Sequence, residues 1–179
     1  MLETFKPDQI RIVNHSVEMA EDLVSNHFKM STSQWNSICR YDIKTSADLN
    51  PEEIVQGPFA QIIRYEGKKK DTSLGSLTYD FYKICLQDHS ILAVLKQKTY
   101  LKLFPFVLYI ITHELIHIIR FTKFLQNFDA SPEEKLAEES RVHENTRVVL
   151  RNIQVQGMGD VLDFYNQWHL PLDGLRNPA

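Results

Sequence analysis

Apolar residues recur at helical spacing near the start of the chain: Ile10, Val13, Val17, Ala20 and Val24, with His27 in the same series. That period predicts an amphipathic helix from Asp8 to about Met30, with Asp8 able to cap it. Ser31 to Tyr41 reads as a short helix or irregular chain. Asn50-Pro51-Glu52-Glu53 has the form of a helix start, which Gly57-Pro58 ends quickly. The period then changes to two. Phe59 to Glu66 and Ser76 to Leu86 read as strands, the second with Leu77, Tyr79, Phe81 and Lys83 on one face. The polar stretch Gly67 to Gly75 would join them as an antiparallel hairpin. Asp88 can cap a helix to about Gln97. Phe104 to about Phe124 is apolar on nearly every side, which predicts a buried helix beginning near Pro105. Ser131-Pro132-Glu133-Glu134 is a capping box, opening a helix to about Ile153. Gly157 and Gly159 break it, Asp160 starts a last helix to about His169, and residues 170–179 read as extended.

These elements predict an α+β fold, mostly helical, with a small antiparallel sheet beside the long apolar helix. The 179 residues suit a single domain. It has a helical N-terminal part (1–58), a central part with the sheet and two long helices (59–153), and a C-terminal helix and tail (154–179). Hydrophobic residues make up 43%, enough to build a core without disulfides. The net charge of −3 gives no basic face for nucleic acid. The run Lys68-Lys69-Lys70 reads as a solvated turn. Cys39 and Cys85 lack metal or redox spacing and read as free thiols in a reducing compartment. The N-terminus lacks the profile of a signal peptide, so a cytoplasmic protein is expected. Leu101 to Ile119 is nearly long enough to span a bilayer. It carries Lys102, Pro105, His113, Glu114 and His117, however, and no second apolar stretch of that length accompanies it. No membrane association is expected.

The chemistry concentrates in His113-Glu114-Leu115-Ile116-His117. Residues four apart share a helix face, so two imidazoles at this spacing can converge on one metal ion. Glu114 follows the first of them directly and lies beside that point, where a carboxylate can take a proton from a metal-activated water. The pattern arises by chance in roughly one chain in a hundred of this length. Burying two histidines and a glutamate side by side without partners costs several kcal/mol, which argues against an incidental occurrence.

A third ligand is needed, and the next helix offers Glu138, Glu139 and His143. Glu139 is the first choice, His143 the second and Glu138 the third. With Glu139 as ligand, His143 lies one turn further on, where it can support the ligands or hydrogen-bond a developing oxyanion. One Zn2+ per chain suits two imidazoles and a carboxylate, as would iron, cobalt or nickel.

This arrangement resembles the zincin metallopeptidases of the gluzincin branch, in which a glutamate from the following helix completes the metal site. Twenty-one residues separate His117 from Glu139, close to the short-spacing members, and the chain is similar in size to the minigluzincins. The resemblance covers about Phe104 to Arg147. It departs from the branch at His143, where an acid usually stands. No histidine follows His117 at the metzincin distance. The resemblance implies a zincin-like fold, a zinc-dependent peptidase with Glu114 as general base, and a peptide or protein substrate. It also implies a sheet-edge strand that pairs with the substrate, for which Leu77 to Leu86 is the candidate. Tyr79, Tyr100, Tyr109, His143 and His169 are candidates for oxyanion stabilisation.

Two other functions compete. One is a metal-binding protein with a degenerate zincin shape and no turnover. The other is a di-iron helical protein, since Glu114 and His117 form a Glu-x-x-His pair; the 131–153 segment offers no second such pair. A latent site, silenced by the tail after His169 or by Cys39, is a further expectation. Substrate preference and oligomeric state are not encoded in these motifs.

Overall fold

Helix α1, Pro7–His27, occupies the place where the first apolar series predicts it. Lys6 is its N-cap, and the Gln9 side chain accepts from the Lys6 amide at 2.8 Å. Asp8 is therefore in the first turn and is not the cap. Val13, Ser16, Ala20 and Val24 form its buried stripe. The computed structural model describes residues 1–69, 77–123 and 125–168. The residues beyond 168, which include His169 and the tail expected to be extended, lie outside the described residues, as does most of the expected 67–75 loop.

A short helix α2, Thr32–Ile38, leads into strand β1, Tyr41–Lys44. Strand β2 is Ala60–Lys69 and strand β3 is Leu77–Leu86. The β2–β3 pair is antiparallel, with Ala60 opposite Leu86 and Arg64 opposite Tyr82. β1 was not expected, and it pairs parallel to β3, Tyr41 opposite Tyr82. The sheet is thus mixed, in the order β1-β3-β2. This corrects the expected edge strand: β3 is central, and the edges among the described residues are β1 and β2. Tyr82, Ile84 and Leu86 are the buried alternation of β3. Lys83, on the opposite face, bonds both oxygens of Glu53 at 2.7 Å. Glu53 lies in a 3-10 turn, Pro51–Glu53, and accepts from the Asn50 amide at 2.9 Å, so the expected helix start is a single turn.

Helix α3, Asp88–Gln97, follows. Asp88 does not cap it; its carboxylate accepts from the Phe5 amide at 2.9 Å and the Ser46 amide at 3.0 Å, tying the N-terminal arm to the sheet end. Helix α4, Leu103–Thr122, is the centre of the fold. Every residue from Pro105 to Ile119 is buried, as expected for a helix without a polar face. It is the one described helix long and apolar enough to cross a membrane, and 78% of that stretch is buried inside the protein. α1 packs along it, as do helix α5, Pro132–Leu150, and helix α6, Met158–Trp168.

α5 begins with Ser131 and Glu134 in the predicted capping box. Its buried positions are Glu138, Glu139, Val142, Thr146 and Leu150, a stripe with an apolar C-terminal half and an acidic N-terminal half. α6 starts after Gly157, whose φ of +86° favours glycine and lets the turn sit against Pro105. Asp160 is inside this helix and is not its cap. Met158, Val161, Phe164 and Tyr165 form its buried stripe against the first half of α4.

Candidate metal centre

Four residues of α4 and two of α5 build the site. His113 and His117 are one turn apart, and their Nε2 atoms are 3.2 Å apart. Glu139 of α5 places one carboxylate oxygen 2.7 Å from His113 Nε2 and the other 3.0 Å from His117 Nε2. Glu114 lines the same cavity, one step along α4. All four are no more than 9% exposed. The cavity they share with Tyr109, His143 and Tyr165 is small, about 30 Å³, and Pro58, Phe59 and Ala60 close its far side. Gly57, with φ of +105°, makes the turn that brings this segment in.

A neighbouring group fixes the orientation of one of the two rings. Gln126 Oε1, which can only accept, lies 3.0 Å from His117 Nδ1. His117 Nδ1 therefore carries a hydrogen, and in the neutral ring Nε2 holds the lone pair. His143 lies on the margin of the cluster. Its Nδ1 is 2.8 Å from the Tyr109 hydroxyl and its Nε2 is 3.4 Å from Glu139 Oε1. Ligand atoms of His113, Glu139 and His143 lie within 4.8 Å of one another, so a second trio overlaps the first. The shorter distances belong to His113, His117 and Glu139. Glu138 is turned elsewhere, to Arg120 Nε and Arg141 Nη1.

The electrostatics follow from burial and from one carboxylate among several rings. Burial lowers the His113 pKa, and Glu139 opposes this without overcoming it. Burial also works against a charge on His117, but Glu139, with Glu114 and Gln126, outweighs it and raises the pKa to about 9. Glu139 is held well below the usual carboxylate range: burial raises it, and the two histidines more than reverse that. Glu114 is pushed up to about 7, chiefly by burial and further by Glu139, with His117 opposing. The metal-free cluster thus holds a proton on His117 where an ion would place its charge.

The residues fit a divalent ion. Two ligands each about 2.0–2.1 Å from a tetrahedral ion stand roughly 3.3 Å apart. The two imidazole nitrogens are at 3.2 Å, and a small opening of the Glu139 contacts completes the edge lengths. His113 Nδ1 is buried with no hydrogen-bond partner.

His113, Glu114, His117, Glu139 and His143 are therefore brought together, and of the oxyanion candidates Tyr109 joins them. Tyr100 is 48% exposed and does not line the cavity, nor does Cys39. The Tyr79 side chain and His169 lie outside the described residues. Sequence reasoning missed Tyr165, whose ring stacks 3.7 Å from that of Tyr109, and Gln126. The α6 stripe marks Tyr165 as inward-facing, but nothing local marks Gln126, which reaches His117 from the loop between α4 and α5. Comparison of the chain with protein-family models, curated proteins and solved structures finds no match.

Proposed function

We propose that this chain is a zinc-dependent metallopeptidase of the gluzincin type, with His113, His117 and Glu139 as metal ligands and Glu114 as general base. The observation that carries the reading is the Glu139 carboxylate seated across both His Nε2 atoms, with Glu114 beside them in the same cavity. A bound zinc ion supplies Lewis acidity, making a water more acidic and a carbonyl more electrophilic.

The chain's own residues do the rest. Glu114 takes a proton from the attacking water. Gln126 orients His117, as above. At His143 the nearby Glu139 oxygen draws the ring hydrogen to Nε2, leaving Nδ1 to accept from the Tyr109 hydroxyl. In that tautomer Nε2 carries a hydrogen and no lone pair, so His143 supports Glu139 and is not a ligand. The edge strand β2 replaces β3 as the partner of an extended peptide, because Phe59 and Ala60 at its start line the cavity beside Glu114.

A metal-binding protein without turnover is the second reading, favoured by the small cavity and the burial of its walls. One experiment separates the two. Metal content and cleavage of a mixed peptide library are measured for the wild-type chain and for Glu114→Gln. The peptidase reading expects the variant to keep fold and zinc and to lose about 10²–10⁴-fold in rate. A variant as active as wild type sinks the assigned mechanism. Zinc held by a wild-type chain that cuts nothing favours the second reading.

A further inference from the structure

A second, larger hollow adjoins the metal cavity. It measures about 330 Å³, and its walls include Arg64, Asp80, Tyr82, Phe121, Gln126 and Phe128. Two of these touch the metal cluster: Gln126 holds His117 Nδ1, and the Phe121 ring stacks on the His117 ring at 6.1 Å. The same strand borders both spaces. Ala60 lines the metal cavity and Arg64, four residues along β2, lines the hollow. At a rise of about 3.3 Å per residue they are roughly 13 Å apart.

The walls define what this hollow accepts. Its floor is aromatic: Tyr82 stacks on Phe121 at 5.6 Å, and Phe121 meets Phe128 at 5.3 Å. Arg64 is already engaged, bonded to Asp129 at 3.1 Å and lying 4.9 Å over the Phe128 ring. Asp80 is exposed and has no ion-pair partner among the described residues. With Arg64 paired to Asp129 outside the hollow, Asp80 is the charged wall residue left without an ion pair among the described residues. Aromatic faces for an apolar stem and a carboxylate for its head suit a long cationic side chain.

We infer that this hollow is a specificity subsite for an arginine or lysine side chain of an extended peptide, about four residues from the bond at the metal centre. The inference rests on the reading of β2 as the peptide-docking edge. Residues of a paired strand advance in step with β2, which sets the offset.

The test uses the full, zinc-loaded chain carrying Glu114→Gln and fluorescein-labelled alanine-based peptides, each with one arginine or, in its twin, neutral citrulline. Anisotropy titrations are expected to show about tenfold tighter binding of the arginine peptides, a difference that Asp80→Asn removes. The wild-type chain is then expected to cut arginine peptides about four residues from the arginine. Equal binding of the twins, a preference that survives Asp80→Asn, or no binding of any peptide overturns the subsite. Arginine preference without cleavage by wild type leaves the subsite standing and removes the peptidase reading. Cleavage indifferent to the arginine does the reverse.

Discussion

Two carboxylates are buried in this fold to a similar degree, Glu53 at 2% exposed and Glu139 at 9%, and their surroundings differ in kind. Glu53 is closed. Lys83 donates to both its oxygens at 2.7 Å, the Tyr65 hydroxyl donates at 2.9 Å, and the Asn50 amide completes the set at 2.9 Å. Its counter-charge is a permanent ammonium on the neighbouring strand. Glu139 faces imidazoles instead, His113 and His117 closest and His143 at 3.4 Å, and the His113 ring retains a buried nitrogen without a partner. Its counter-charge is a proton that can leave. The first cluster fastens the outer face of the sheet to the 3-10 turn that covers it. The second is arranged around a space, where the proposed ion would take over the role of the proton.

This contrast can be broken by mutation. Glu139→Ala is expected to weaken zinc binding by at least about 100-fold, because a ligand is lost outright. Glu53→Gln is expected to leave zinc affinity unchanged while lowering the melting temperature. Competition with a chelating dye measures the first and thermal unfolding the second. If Glu53→Gln weakened zinc binding as much as Glu139→Ala, the division between a structural and a metal cluster would fail.

A smaller effect tests the exchangeable proton. With the His117 pKa raised to about 9, its ring is charged at neutral pH in the metal-free protein. Metal uptake then displaces about one proton, and apparent affinity rises about tenfold per pH unit until the pH reaches that pKa. Calorimetry in buffers of different ionisation enthalpy counts the protons. Uptake without proton release at pH 7 would contradict the assignment of charge to His117.

A further effect concerns Glu114 in the metal-free protein. Its folded pKa is raised from 4.5 to about 7, so its neutral form is favoured by folding. Its contribution to stability is present in full below pH 4.5 and is lost as the pH rises through about 7. Glu114→Gln should therefore stabilise the metal-free protein at pH 8 by up to about 3 kcal/mol, and this gain should vanish near pH 4. Denaturant titrations of both proteins at the two pH values give the comparison. A gain that is equal at both would place the cause elsewhere than in the buried charge.

Much of the fold is local enough to be legible. The apolar run that became α4, the Ser131–Glu134 capping box and the β-branched and aromatic residues of β2 each depend on neighbours within a few residues. β1 was missed because four residues offer too few alternations to register, and its partner β3 lies about forty residues away. Asp8, Asp88 and Asp160 all look like caps in the sequence, and none is one. The Asp88 carboxylate is instead engaged by two amides, from Phe5 and Ser46, that no local pattern brings near it.

The same division runs through the site. The sequence alone determined that His113 and His117 share one face and that Glu114 stands beside it, because helical periodicity is a property of five consecutive residues. Only the tertiary structure decided that Glu139 meets them while Glu138 turns to Arg120 and Arg141. Those two glutamates differ by about 100° around one helix, and the rotation of α5 against α4 selects between them. It also decided that β2 and not β3 borders the metal cavity, since strand order is a long-range choice that no local pattern encodes.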